Sequence, residues 1–164
     1  TPIGHVLVRS PQMLVAYTDP VVTADQLNAE GWFKTGDMGA LDAEGWFCMH
    51  GRSKDIINRG GEKFSSRDIE LALQSHPDIL NAAVVGAPHA RFGEEVAACL
   101  VLNEGCCWSG PEPVIRHLLG HELAKQKIPS RWLIVVRVPM TATGKVQKQA
   151  LLKMLESDAL STRA

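Results

Sequence analysis

The sequence predicts an α+β fold: a small three-stranded sheet with packed helices, preceded by a β-rich subdomain. Three observations lead there. After residue 65, nearly continuous apolar segments (Ile79–Ala87, Val96–Leu102, Trp132–Val138) alternate with amphipathic helical ones. Before residue 52, strand-like runs are separated by turn signals. Finally, 164 residues with 45% hydrophobic and 21% charged side chains are enough to bury a core, which excludes disorder along the whole chain.

From the N-terminus, Gly4–Ser10 has strand character and Met13–Tyr17 reads as a second strand. Asp42-Ala43-Glu44-Gly45 is a turn between Met38–Leu41 and Trp46–His50, so a hairpin is expected. Residues 19–46 are acidic, with Lys34 their sole basic residue. The character changes at Gly51-Arg52, after which Arg52, Lys54, Arg59, Lys63 and Arg67 outnumber Asp55 and Glu62. A boundary near Ser53-Lys54 is therefore expected: residues 1–52 end a larger β-rich domain, and 53–164 form the α+β domain. Ser65 with Asp68 resembles a capping box opening a helix, with Ile69, Ala72, Leu73 and His76 on one face and Pro77 as its stop. Two apolar strands follow, of a type covered by helices on at least one face. Pro113–Ala124 is a second helix, with Ile115, Leu118, Leu119 and Leu123 on its apolar side. The third strand and a last helix, Gln147–Leu155, complete the domain.

A net charge of −1 and a pI near 6.6 provide no field to recruit nucleic acid or an anionic membrane. The longest apolar run, Val96 to Leu102, falls far short of the roughly 20 residues of a spanning helix. No secretory signal pattern opens the chain. Cys48, Cys99, Cys106 and Cys107 form no disulfide framework, which points to the reducing cytoplasm. Cys106-Cys107 followed by His117 and His121 invites a zinc reading, but adjacent cysteines lack the usual ligand spacing, so a surface loop and a polar helix face are expected, and no metal ligand is assigned. A start at Thr1 is expected for a processed or excised chain.

Four stretches are too polar and glycine-rich for core. In Lys34-Thr35-Gly36-Asp37, a glycine lets the backbone turn and presents a carboxylate able to hold a vicinal diol such as ribose. Gly51-Arg52-Ser53-Lys54-Asp55 offers a guanidinium fork suited to phosphate or hydroxyl oxygens. In Asn58-Arg59-Gly60-Gly61-Glu62-Lys63, paired glycines permit either close approach of a ligand or a plain hairpin turn. Pro139 to Lys148 carries Lys145 in a small-residue loop, able to neutralise developing negative charge; Val146 and the absent glycine spacing exclude a P-loop. Taken singly, each also reads as an ordinary turn or solvated loop.

In order, and with Lys127-Ile128-Pro129 between the last two, these stretches resemble the C-terminal part of the adenylate-forming superfamily, which includes acyl-CoA synthetases, aryl-acid adenylating enzymes and luciferases. The resemblance runs from about Gly4 to Leu155. It implies a carboxylate–CoA ligase that adenylates a small carboxylic acid with ATP and Mg²⁺ and then transfers the acyl group to CoA. Lys145 is then the catalytic lysine of adenylation, Asp37 and Arg52 bind the nucleotide, Lys54 is a hinge, and Arg59, Gly60 and Gly61 approach the pantetheine arm. Arg59, Lys63 and Arg91 are further candidates for the 3′-phosphate of CoA. Phe64, Ser66, Asp68 and Lys34 depart from the family's usual residues without touching this chemistry. The family's phosphate loop and acyl pocket are not in these residues and are expected upstream, so the chain alone is expected to be inactive. Alternatives are an aryl-acid–AMP ligase that loads a carrier-protein pantetheine, a non-catalytic truncated module, and a small nucleotide-binding regulator.

Overall fold

The turn expected at Asp42–Gly45 closes an antiparallel hairpin. Asp42 Oδ1 accepts the N–H groups of Glu44 (3.1 Å) and Trp46 (2.7 Å), and Gly45 takes a φ of 88° that favours glycine. The computed structural model describes residues 2–161 and divides into two units, one up to Lys54 and one from Asp55 on. The first holds β1 (Gly4–Val8), α1 (Pro20–Gln26), β2 (Phe33–Leu41) and β3 (Phe47–Arg52), with an antiparallel sheet in the order β1-β2-β3.

Two features of this unit depart from expectation. Met13–Tyr17 is irregular rather than a strand: among the described residues no strand pairs with it, and Val15 is 93% exposed. The short helix α1 was not foreseen, because Val21, Val22 and Thr23 are β-branched and argue against helix. Its start is local: Asp19 caps Val21 N–H at 2.8 Å and Pro20 stands in the first turn.

The second unit adds β4 (Ile56–Arg59), β5 (Glu62–Ser65), α2 (Ser66–Gln74), β6 (Ile79–His89), β7 (Gly93–Leu102), α3 (Glu112–Gly120), β8 (Arg131–Ile134) and α4 (Lys148–Ser161). The α+β class stands, but this sheet has five strands rather than three. The extra pair is the β4–β5 hairpin, closed by Gly60 and Gly61 at φ 62° and 94°, the double positive φ of a two-residue turn. Strand β7 is central. It pairs antiparallel with β6 along its length, meets β4 at Gly93 and β8, in parallel, at Ala97–Leu100.

Both faces of β6 and β7 are covered, which is why these strands read as continuous apolar runs. Val84, Val96, Ala98 and Leu100 pack with Ile69 and Leu73 of α2 and Leu118 of α3. On the other face Ala83, Val85, Ala97 and Cys99 pack with Leu151 and Leu155 of α4. Burial pushes the Cys99 thiol up to about 11, so it acts as a small hydrophobe. Strand β8 ends four residues before the expected Val138, once its pairing to β7 is exhausted and Val136 turns out to solvent. Helix α3 stops at Gly120 instead of Ala124, since Gly120 is a poor helix former and Glu122 takes a left-handed φ of 57°. At α2, Ser65 Oγ caps Arg67 N–H at 3.1 Å; Asp68, expected as its capping partner, pairs instead with Lys127 at 3.5 Å.

Candidate functional site

Register on the first hairpin brings Asp37 and Arg52 together. They are direct partners of β2 and β3, and Arg52 Nε donates to Asp37 Oδ1 at 3.0 Å. Gly36, at φ 77°, sits inside β2 where the register against β1 shifts, just before the carboxylate; Asp37 N–H donates to Thr35 Oγ1 (3.0 Å) and Ser53 Oγ to Gly36 O (3.1 Å). An ion pair this exposed contributes about 0.2–1 kcal/mol, so its main effect is to orient the carboxylate. Only Nε of Arg52 is used, which leaves both terminal NH₂ groups available among the described residues. A cleft of about 620 Å³ lies alongside, walled by Lys34, Thr35, Gly36, Arg52, Ser53 and Lys54.

In the second unit, Arg59 and the Gly60–Gly61 turn lie against Phe92. Gly60 N–H donates to Phe92 O at 2.8 Å, and the Arg59 and Arg91 guanidinium carbons stand 5.4 and 5.2 Å from the Phe92 ring. His89 stacks on the same ring with centroids 5.0 Å apart. Arg59 Nη1 also donates to Gln126 O at 2.8 Å. Lys63 is exposed on β5. Glu94 was not singled out from sequence, yet its Oε2 accepts Asn58 N–H at 2.7 Å. A Cβ at Gly86 would come within 2.8 Å of the Glu94 carboxylate, so glycine there makes room for it. The paired glutamates Glu94-Glu95 in a strand were the available signal.

Lys145 is exposed in a closed loop. Met140 and Val146 bridge across it, Thr141 N–H donates to Lys145 O (2.8 Å), Lys145 N–H to Thr141 Oγ1 (3.1 Å), and Gly144 turns at φ 76°. The loop's foot is held by Gln147, whose N–H donates to Pro139 O at 2.9 Å. Lys148 follows, 2.8 Å from Asp55 Oδ1 and 3.2 Å from Ser66 Oγ. An exposed lysine on a fixed backbone can deliver a compact positive charge to an anionic ligand.

The cysteine and histidine pairs are separately engaged. Cys106 Sγ donates to Asp78 Oδ1 at 3.3 Å, and His117 Nε2 lies 2.8 Å from Ser75 Oγ. Burial, then the neighbouring His121 and His76, lower the His117 pKa. Among the described residues no three His, Cys, Asp or Glu side chains form a group suited to a metal ion.

Residues 68–145, which span the α2–β7 core and reach the Lys145 loop, match the AMP-binding enzyme C-terminal domain. The match falls within the second unit, which resembles the C-terminal domain of AMP-binding enzymes. Similarity extends beyond it to both units: the chain is 39% identical over 153 residues to the 2-methylpropanoate–CoA ligase of Humulus lupulus, covering 93% of this chain and 28% of that protein. It is 38% identical to the medium-chain fatty-acid–CoA ligase of Escherichia coli, covering 92% and 27%. Among solved structures, ATP-bound MatB from Rhodopseudomonas palustris matches with a TM-score of 0.84 at 34% identity, covering 93% of this chain and 30% of that one. The o-succinylbenzoate–CoA synthetase of Bacillus subtilis, solved with its acyl-adenylate intermediate, matches with 0.83 at 30% identity, covering 92% and 30%. The chain thus spans less than a third of the length of these relatives. No helix among the described residues is long and apolar enough to cross a membrane.

Proposed function

We propose that the chain is the C-terminal part of an ATP-dependent carboxylate–CoA ligase. In the first half-reaction an oxygen of a small carboxylic acid bonds to the α-phosphorus of ATP and pyrophosphate leaves. In the second, the CoA thiol, having lost its proton, attacks the acyl carbon, and AMP departs with the carboxyl oxygen. The observation that carries this reading is Lys145 in its closed, glycine-turned loop at the end of the AMP-binding enzyme C-terminal domain. Lys145 is assigned to the negative charge that develops between carboxylate and α-phosphate. Asp37, oriented by Arg52, accepts the ribose hydroxyls, and the free NH₂ groups of Arg52 contact the nucleotide. Arg59 and the Gly60–Gly61 turn receive the pantetheine arm; Arg59, Lys63 and Arg91 supply positive charge for the CoA phosphate.

The two half-reactions need different groups at one acyl carbon. Lys145 must withdraw before the thiol enters, so residues 53–164 are read as a mobile domain turning about Lys54, and residues 1–52 as the end of a larger domain. Mg²⁺ would accompany ATP in the whole protein; among the described residues no group of three His, Cys, Asp or Glu side chains would hold it. Free thiols at all four cysteines support a cytoplasmic setting.

The test is Lys145→Ala in the full-length protein. Pyrophosphate exchange should fall about 10²–10³-fold, while thioester formation from supplied acyl-adenylate persists. Equal loss of both would overturn the division of labour. Supplying CoA and a pantetheinylated carrier protein side by side decides the acceptor; transfer to the carrier alone would favour the carrier-loading alternative.

A further inference from the structure

The geometry points to Lys148 as a positioning residue that ties the foot of the Lys145 loop to Asp55, the residue directly after Lys54. The inference rests on the ligase reading above. Lys148 is the first residue of α4, where the helix dipole disfavours a cation, so its placement does not serve the helix. Its ammonium group instead reaches two residues far back in the chain. It lies 2.8 Å from Asp55 Oδ1 and 3.2 Å from the hydroxyl of buried Ser66, with both charged side chains only about 30% exposed (28% and 30%). Glu70 and Arg67 on α2 also act on this locus. In a half-buried position such a pair has few alternatives in water, so its geometry is better defined than that of a surface pair.

The connection to Lys145 is short. Residue 146 bridges to Met140, residue 147 donates to Pro139 O, and residue 148 makes the tie. The loop is therefore closed within itself and anchored at its foot. A backbone rotation at Lys54 moves Asp55, and through Lys148 it carries the loop with it as one piece. Without the tie the foot can shift, and the Lys145 ammonium no longer returns to one place. A misplacement of about 1 Å costs about 100-fold in rate.

The experiment uses the full-length protein with Lys148→Met, Lys148→Arg, Asp55→Asn and Lys145→Ala. It reads kcat and KM for ATP in pyrophosphate exchange, thioester formation from supplied acyl-adenylate, and the melting temperature. Lys148→Met and Asp55→Asn should each lower the exchange kcat by about 10–100-fold, with KM for ATP within about twofold of wild type. Thioester formation should persist, and Lys148→Arg should restore most of the rate. A wild-type exchange rate in Lys148→Met and Asp55→Asn, beside a crippled Lys145→Ala, overturns this inference alone. A parallel fall of both half-reactions together with the melting temperature also overturns it, because Lys148 then only holds the fold. A wild-type rate in Lys145→Ala overturns the ligase reading and this inference with it.

Discussion

Glu70 shows how a single carboxylate records its surroundings. Burial raises its pKa above the usual 4.5, and the Val84 N–H at 3.0 Å, Lys148 and Arg67 offset this only in part. The folded protein therefore holds the Glu70 proton to higher pH than the unfolded chain. Above about 4.5 the native state binds more protons, and this group's contribution to stability is lost as pH rises through that window. Glu70→Gln keeps an oxygen for Val84 and removes the titration. Its melting temperature should depend less steeply on pH between about 4 and 7 than that of the parent chain. Identical slopes would show that burial does not dominate at Glu70. At this scale legibility follows sequence distance. Asp37 stood out because Gly36 precedes it, and Lys145 because Gly144 does. Lys148 and Glu94 did not, because their partners Ser66 and Asn58 lie 82 and 36 residues away.

Among the elements, the turn Ser53–Asp55 is the one on which the proposed motion depends. It is a 3₁₀ turn, whose φ of roughly −50 to −70° overlaps the −65° that proline imposes. Lys54→Pro should therefore preserve the turn as it stands and forbid other backbone angles. In the full-length protein one half-reaction should survive and the other should be strongly impaired; wild-type rates in both would move the hinge elsewhere. The elements most legible in the sequence were β6, β7 and α2, because burial on both faces leaves an unbroken apolar run in a strand and burial of one face imposes a period on a helix. The β4–β5 hairpin was ambiguous: Gly60-Gly61 serves a turn and a ligand equally well, and two four-residue strands leave little pattern to read. Helix α1 buries no residue, so no apolar stripe announced it.

Over the whole molecule the core is unevenly shared. Among the described residues, all buried hydrophobic side chains lie between Ile57 and Leu155, whereas Trp46, Phe47 and Met49 of the first unit are 74%, 50% and 59% exposed. Residues 55–161 alone should thus melt cooperatively, and residues 2–54 alone should show no cooperative transition in calorimetry. The reverse result would mean that the division of the core is misjudged. The same imbalance limits what the 164 residues can bind. Two or three exposed hydrogen bonds at about 0.5–1.5 kcal/mol each reach about 4 kcal/mol, which is only about millimolar affinity. Titration of the chain with ATP should show nothing tighter, and a micromolar dissociation constant would relocate the nucleotide site.

Strand β7, covered on both faces, has an evolutionary consequence. From Val96 to Leu100 no side chain points to water, so drift there is confined to apolar exchanges of nearly equal volume. The Lys145 loop, exposed and closed by its own hydrogen bonds, carries no such restriction from packing. A lineage built on this domain can therefore change at its exposed loops while the middle of the sheet stays almost still.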